Sequence, residues 1–170
     1  IAREMEEQGV EVLISRRSTA VLIEKSISTP NVTIPISLQD IAQALHEARE
    51  TTRLEQPRVA LFIMPADQPD VESFAEHLHF DLHIYPVTED EEYLALMLDR
   101  AIAEKMDVVI AGSVVTILAN ARNFPYVFMD TGPVALRTAL LEAKQIAYAR
   151  KLEKTRAKVF EIIVSSSYLG

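Results

Sequence analysis

The sequence predicts an α/β protein of two parallel-sheet lobes, the first incomplete on its N-terminal side, followed by a long C-terminal helix. Three observations predict it. Short runs rich in β-branched residues alternate with segments of helical periodicity. The strands are apolar on both faces, as in parallel sheets covered by helices. The chain also nearly repeats itself, since residues 10–48 align with residues 106–143 through one gap. Val12 matches Val108, Ile14 matches Ile110, Leu22 matches Leu118, Pro30 matches Pro125 and Val32 matches Val127. Both copies close alike, Ala44-Leu45-His46-Glu47-Ala48 against Ala139-Leu140-Leu141-Glu142-Ala143. A duplicated unit of strand, turn, helix, strand and helix predicts two similar lobes and a cleft.

The elements follow in order. A charged helix opens the chain near 1–8. The run EVLIS predicts a strand at 11–15, and the turn Ser15-Arg16-Arg17-Ser18-Thr19 leads into a helix at 18–26. Alternating Val32, Ile34 and Ile36 predict a strand at 31–36, and Ser37 is a good cap for a helix at 38–53. Apolar residues 59–64 read as a buried strand within 58–64, followed by a helix at 70–78 and a strand at 81–86. The acidic run Glu89-Asp90-Glu91-Glu92 suits the positive end of a helix at 90–105. Strands at 107–111 and 125–130 flank a helix at 114–122. Ala135 to Ile163 holds neither Gly nor Pro, so the last helix runs from 133 to 165. Its apolar positions, among them Leu140, Ala143, Ala147, Leu152, Val159 and Ile163, recur near a 3.5–3.6 period.

This order places lobe one at 1–57 and lobe two at 58–131. The segment 132–170 returns to lobe one and leads towards a downstream domain. Thr52 to Pro57 is the expected crossing between lobes. The second copy of the repeat is preceded by two βα units, 58–105, which the first copy lacks. Residues upstream of Ile1 are therefore expected to complete lobe one.

Composition narrows the function. With 49% hydrophobic and 25% charged residues the chain reads as an ordinary soluble domain. It has no apolar run long enough to span a membrane and no signal-peptide pattern. A net charge of −8 argues against direct nucleic-acid contact. The absence of cysteine excludes disulfides and thiolate chemistry and fits a cytoplasmic location. Only four glycines, and no nucleotide-loop, nucleophile-elbow or zinc-protease motif, leave an enzyme little to stand on. No cofactor and no metal is expected. Asp81 and His83 share one face of a strand, but a metal site needs more ligands. Asp130 ends a strand without the paired acids of a phosphate receiver.

In open parallel sheets, ligands bind beyond the carboxyl ends of strands. Right-handed crossovers put every strand-to-helix turn on that edge. The candidate ligand-binding residues are Ser15, Arg16, Arg17, Ser18 and Thr19 in the first turn, Ser37 and Asp40 after the second strand, Pro65 after the third, Gly112 and Ser113 after the fifth, and Thr131 after the sixth. Backbone N–H groups at helix starts attract carboxylate or phosphate, and Arg16 and Arg17 add cationic forks. The alternative is ordinary capping, for which Ser18, Ser37 and Ser113 are equally suited.

Three segments carry a family resemblance. They are VLISRRSTAVLIEKSISTPNVTIPISLQDIAQAL at 12–45, VALFIMPADQPDVESFAEHLHFDLHIYPVTEDEE at 59–92 and VVIAGSVVTILANARNFPYVFMDTGPVALRTAL at 108–140. Together they resemble the N-terminal effector-sensing domain of the propionate catabolism activators, bacterial regulators that work with sigma-54 RNA polymerase. The resemblance implies two Rossmann-like lobes of the periplasmic-binding-protein or flavodoxin-like kind, and a small anionic effector such as 2-methylcitrate between them. It also implies downstream AAA+ and helix-turn-helix domains in the same chain. Arg17 and Ser18 stand where family members usually carry glycine, and Ser113 replaces the second glycine of its turn. These changes alter volume and charge where a backbone would approach a ligand.

The expected function is thus effector sensing by a non-enzymatic regulatory domain. Two alternatives stand beside it. One is a ligand-free module that pairs two chains through helix 133–165. The other is a two-lobed isomerase or racemase, which the absence of cysteine disfavours because such enzymes often set paired cysteines across the cleft.

Overall fold

The computed structural model describes residues 1–65, 71, 74 and 77–167, with the backbone alone at 17, 18 and 157–167. Its elements are α1 (Ala2–Glu7), β1 (Leu13–Arg16), α2 (Arg17–Glu24), β2 (Asn31–Ile34), α3 (Leu38–Thr52), β3 (Arg58–Ile63), β4 (Asp81–Pro86), α4 (Glu91–Ala103), β5 (Val108–Ala111), α5 (Ser113–Ala121), β6 (Tyr126–Phe128) and α6 (Pro133–Ser167). The helix expected at 70–78 lies largely outside the described residues. The chain forms two compact units, one of residues 1–35 with 133–170 and one of residues 36–132.

The second unit is built on a four-stranded parallel sheet of order β4-β3-β5-β6. Its central strands are apolar at every position after Arg58 because both faces are covered. Successive side chains alternate in direction, so Val59, Leu61 and Ile63 join Val108 and Ile110 on one face. Ala60 and Phe62 join Val109 and Ala111 on the other. The first face packs against Ile41, Ala44, Leu45 and Ala48 of α3. The second packs against Leu94 and Leu98 of α4 and Val115 and Ala119 of α5. Phe62 and Tyr85 stack across β3 and β4 at 5.1 Å. The Arg49 guanidinium sits 4.1 Å over the Phe80 ring, which lets a charged side chain finish the apolar edge of α3.

The first unit has a two-stranded parallel sheet, β1 beside β2, in the register Leu13 to Asn31 and Arg16 to Ile34. Val32 packs on Ala139 and Ala143 of α6, with Val12, Ile14, Ile34 and Ile146 partly buried around them. The alanines recur at helical spacing and let α6 approach the strands closely. Farther along, Arg150 Nη1 donates to the Glu11 carbonyl at 3.1 Å, and Lys154 lies 3.8 Å from the Glu11 carboxylate. One oxygen of Glu6 ties α1 down, accepting from the backbone and hydroxyls of Ser28 and Thr29 at 2.8–3.1 Å. The bonds from Ser28, then those from Thr29, outweigh desolvation and hold the Glu6 carboxyl below its usual value.

The two units divide the chain differently from the lobes expected from the sequence. Helix α3, expected with lobe one, packs on the four-stranded sheet, and the crossing expected at Thr52–Pro57 lies within the second unit. The chain instead passes between units at 35–36 and 132–133. Each copy of the repeat therefore gives its closing helix to the other copy's unit. The two closing helices share one apolar pattern, so either sheet could accept either helix as far as pattern goes. Leu140, expected on the packing stripe of α6, is exposed, because the buried stripe is Ala135, Ala139 and Ala143. The side chains of Val159 and Ile163 lie outside the described residues.

Candidate functional site

The turns at the carboxyl ends of β3, β5 and β6 lie along one edge of the second unit's sheet, because these strands are parallel neighbours. That edge carries Pro65, Gly112 and Thr131. Pro65 is exposed just after β3, while Ala66 and Asp67 beyond it lie outside the described residues. Gly112 is the N-cap of α5, and no side chain caps that helix. Its φ of −76° suits any residue, and a β-carbon there would meet nothing within 4 Å. Neither strain nor packing among the described residues demands glycine at this position. Ser113, exposed, opens the helix, and its carbonyl accepts from the Thr116 hydroxyl at 2.9 Å. The Thr131 amide donates to Asp130 at 2.7 Å.

In the first unit, β1 runs straight into α2. Arg16 is the N-cap in extended conformation, and its side chain makes no cap bond to the helix. Thr19 is exposed in the first turn. Arg17 and Ser18 begin α2, with their side chains outside the described residues. Ser15 is turned to internal use, since its hydroxyl donates to Asn31 Oδ1 at 2.9 Å and it is nearly buried.

Ser37 and Asp40 are also committed. They form a capping box at the start of α3. Ser37 Oγ accepts from the Asp40 amide at 3.2 Å, and Asp40 Oδ2 accepts from the Ser37 amide at 2.9 Å. The other oxygen of Asp40 accepts from the Gly132 amide at 2.9 Å. Capping thus divides the helices. The box closes α3, and Asp90 closes α4 by accepting from the amides of Glu92 and Tyr93 at 3.0 and 3.3 Å. The starts of α2 and α5, equivalent positions in the repeat, carry no side-chain cap.

Several polar contacts escaped sequence reasoning. Asn31 was invisible as the partner of Ser15 because strand register is not readable from spacing. On the edge strand β4, Asp81 and His83 meet at 2.9 Å, as their shared face allows, and Arg58 Nε reaches Asp81 at 3.0 Å. Partial burial pushes the Asp81 carboxyl up, and the bonds and charges of Arg58 and His83 outweigh it and hold the group below its usual value. Among the described residues no cluster of three or more His, Cys, Asp or Glu is placed to hold a metal ion. None of the described helices is long and apolar enough to cross a membrane.

Tyr85 donates to Glu104 at 2.5 Å, and Arg100 holds the same carboxylate at 2.8 Å. Burial, then the bond to Glu104 and its charge, push the Tyr85 phenol up to about 12. A phenol raised in the folded state stabilises the fold fully below its ordinary value near 10, and that stabilisation is lost as pH rises towards 12. Tyr85→Phe is expected to cost about 1 kcal/mol at neutral pH and to flatten this alkaline loss, as read by denaturant midpoints at several pH values.

The elements define an α/β domain of two parallel-sheet units. The chain matches the family described as propionate catabolism activator, PrpR_N, over residues 1–153, and it belongs to that family. It is a regulatory sensing domain, in keeping with transcriptional control. The fold is shared with the crystal structure of an NtrC family transcriptional regulator from Clostridium acetobutylicum. That match has a TM-score of 0.75 at 22% identity and covers 88% of this chain and 76% of that one. No curated protein matches the sequence.

Proposed function

We propose that the chain senses a small carboxylate metabolite at its uncapped helix starts, and that it controls a downstream AAA+ ATPase of a sigma-54-dependent activator through α6. Among the described residues the N-cap residues of α2 and α5 make no side-chain cap bond, while those of α3 and α4 do, and this contrast carries the reading. N–H groups at a helix start, backed by the helix dipole, suit a carboxylate. Among the described residues nothing crowds Gly112, which supports the approach of a ligand to the backbone there. Ser15, Ser37 and Asp40 support the frame of these turns, and Arg16, Thr19, Ser113 and Thr131 remain the proposed contacts, with Arg17 and Ser18 beside them. An effector acts only if it binds one state of the domain better than another. The family supports 2-methylcitrate and related polycarboxylates as first candidates.

Calorimetric titration with 2-methylcitrate, citrate and succinate tests the proposal. Gly112→Ala is expected to change stability by less than about 0.5 kcal/mol yet to weaken effector binding about tenfold or more, or 1.4 kcal/mol. Absence of heat with every acid, or equal affinity in the variant, would overturn the reading.

A second reading has its own observation. Leu140, Leu141, Tyr148 and Leu152 of α6 are exposed, and a groove of about 480 Å³ beside them is lined by Leu141, Ala147 and Tyr148 with Glu11 and Lys151. This apolar face supports pairing of two chains through α6. Sedimentation over a concentration series decides it, since a monomer at all concentrations would remove it.

A further inference from the structure

We infer that Asp40 is a hinge clasp, a single carboxylate that ties together the two places where the chain enters and leaves the second unit. The chain enters that unit at Ile36 and leaves it at Gly132. One Asp40 oxygen accepts from the amide of Ser37, one residue past the entry, and the other from the amide of Gly132, the exit residue itself. Each bond is 2.9 Å long. The carboxylate is 8% exposed, so both bonds are sheltered from water, and a bond to an ionised acceptor is stronger than a neutral one.

The position is built for this task. Ser37 caps α3, and Gly132 immediately precedes α6. The carboxylate lies at the start of α3, whose dipole favours its charge. Pro35 and Pro133 flank the crossings and fix their own φ angles. A β-carbon at Gly132 would lie 2.3 Å from Asp40 Oδ1, so glycine is required for the clasp to close. The consequence is mechanical. Helix α3 packs on the four-stranded sheet and α6 on the two-stranded one. With the clasp closed, the starts of the two helices pivot together instead of as two independent linkers.

This inference takes its use from the sensing proposal, but its test requires no effector. Asp40→Asn keeps the shape and replaces one acceptor by a donor, which faces an amide that can no longer be satisfied. Gly132→Ala expels the carboxylate from the exit amide and leaves the capping box intact. Loss of one charge-assisted bond corresponds to about a tenfold change in a local opening equilibrium. Amide exchange measured by NMR is therefore expected to quicken about tenfold at position 37 or 132 in Asp40→Asn. In Gly132→Ala it is expected to quicken at position 132 alone.

The hinge role is read separately. The chain has no cysteine, so Glu24→Cys and Ala121→Cys, both exposed and one in each unit, accept a pair of spin labels without background. The distribution of label separations is expected to broaden in both clasp variants, with far-ultraviolet circular dichroism unchanged. Unaltered exchange at 37 and 132 would refute the clasp. Faster exchange with unaltered label distributions in either folded variant would refute the hinge. Neither outcome depends on whether a carboxylate binds, so a failed titration leaves this result standing by itself.

Discussion

Replacing Leu45 with alanine lowers the stability of the chain by about 2–5 kcal/mol. Leu45 is fully buried on the inner stripe of α3, among Val59, Leu61, Val108 and Ile110. Those residues belong to strands locked in parallel register, so they cannot close the space that the leucine leaves. Denaturant unfolding measures the loss, and hydrogen exchange locates it. Protection is expected to fall at Val59–Ile63 and Val108–Ala111, with less change at Leu13–Arg16. A small effect, or one concentrated on β1, would place α3 on the other sheet.

Replacing Ala139 with leucine has the complementary effect, about 1–3 kcal/mol from overpacking. Ala139 is fully buried where α6 meets β2, so three further carbons have to displace its neighbours. Here exchange is expected to quicken at Leu13–Arg16 and Asn31–Ile34, with the four-stranded sheet spared. The pair tests the exchange of closing helices directly, because the two variants lie in the corresponding closing helices of the sequence repeat, one position apart in the alignment. A helix that stayed with its own copy would reverse both patterns.

Much of the architecture could be read from residues. Val59 to Ile63 and Val108 to Ala111 announce central strands because they are apolar at every position. Ser37 and Asp90 announce helix starts because their side chains cap. The pairing of helices with sheets was hidden, since Ala44-Leu45 and Ala139-Leu140 offer the same pattern to either partner. The site was legible only as a set of strand ends. Sequence spacing located the turns, but it could not separate committed side chains from open ones. Asp40 reads from the sequence as a candidate ligand residue, and its bond from Gly132, 92 residues away, is invisible there. Gly112 was conspicuous as one of few glycines, yet only the geometry shows that the fold does not require it.

The make-up of the first unit bears on the order in which the molecule assembles. Residues 36–132 form one uninterrupted stretch with its own sheet and both layers of covering helix. They can fold while the rest of the chain is still being made. The first unit cannot, because β1 and β2 wait for Ala139 and Ala143, more than a hundred residues farther along. Contacts so distant in sequence form late. The strands β1 and β2 are therefore the last part of these two units to become safe from proteases and from aggregation, and a cut just before α6 strands them although about a hundred residues separate them from it.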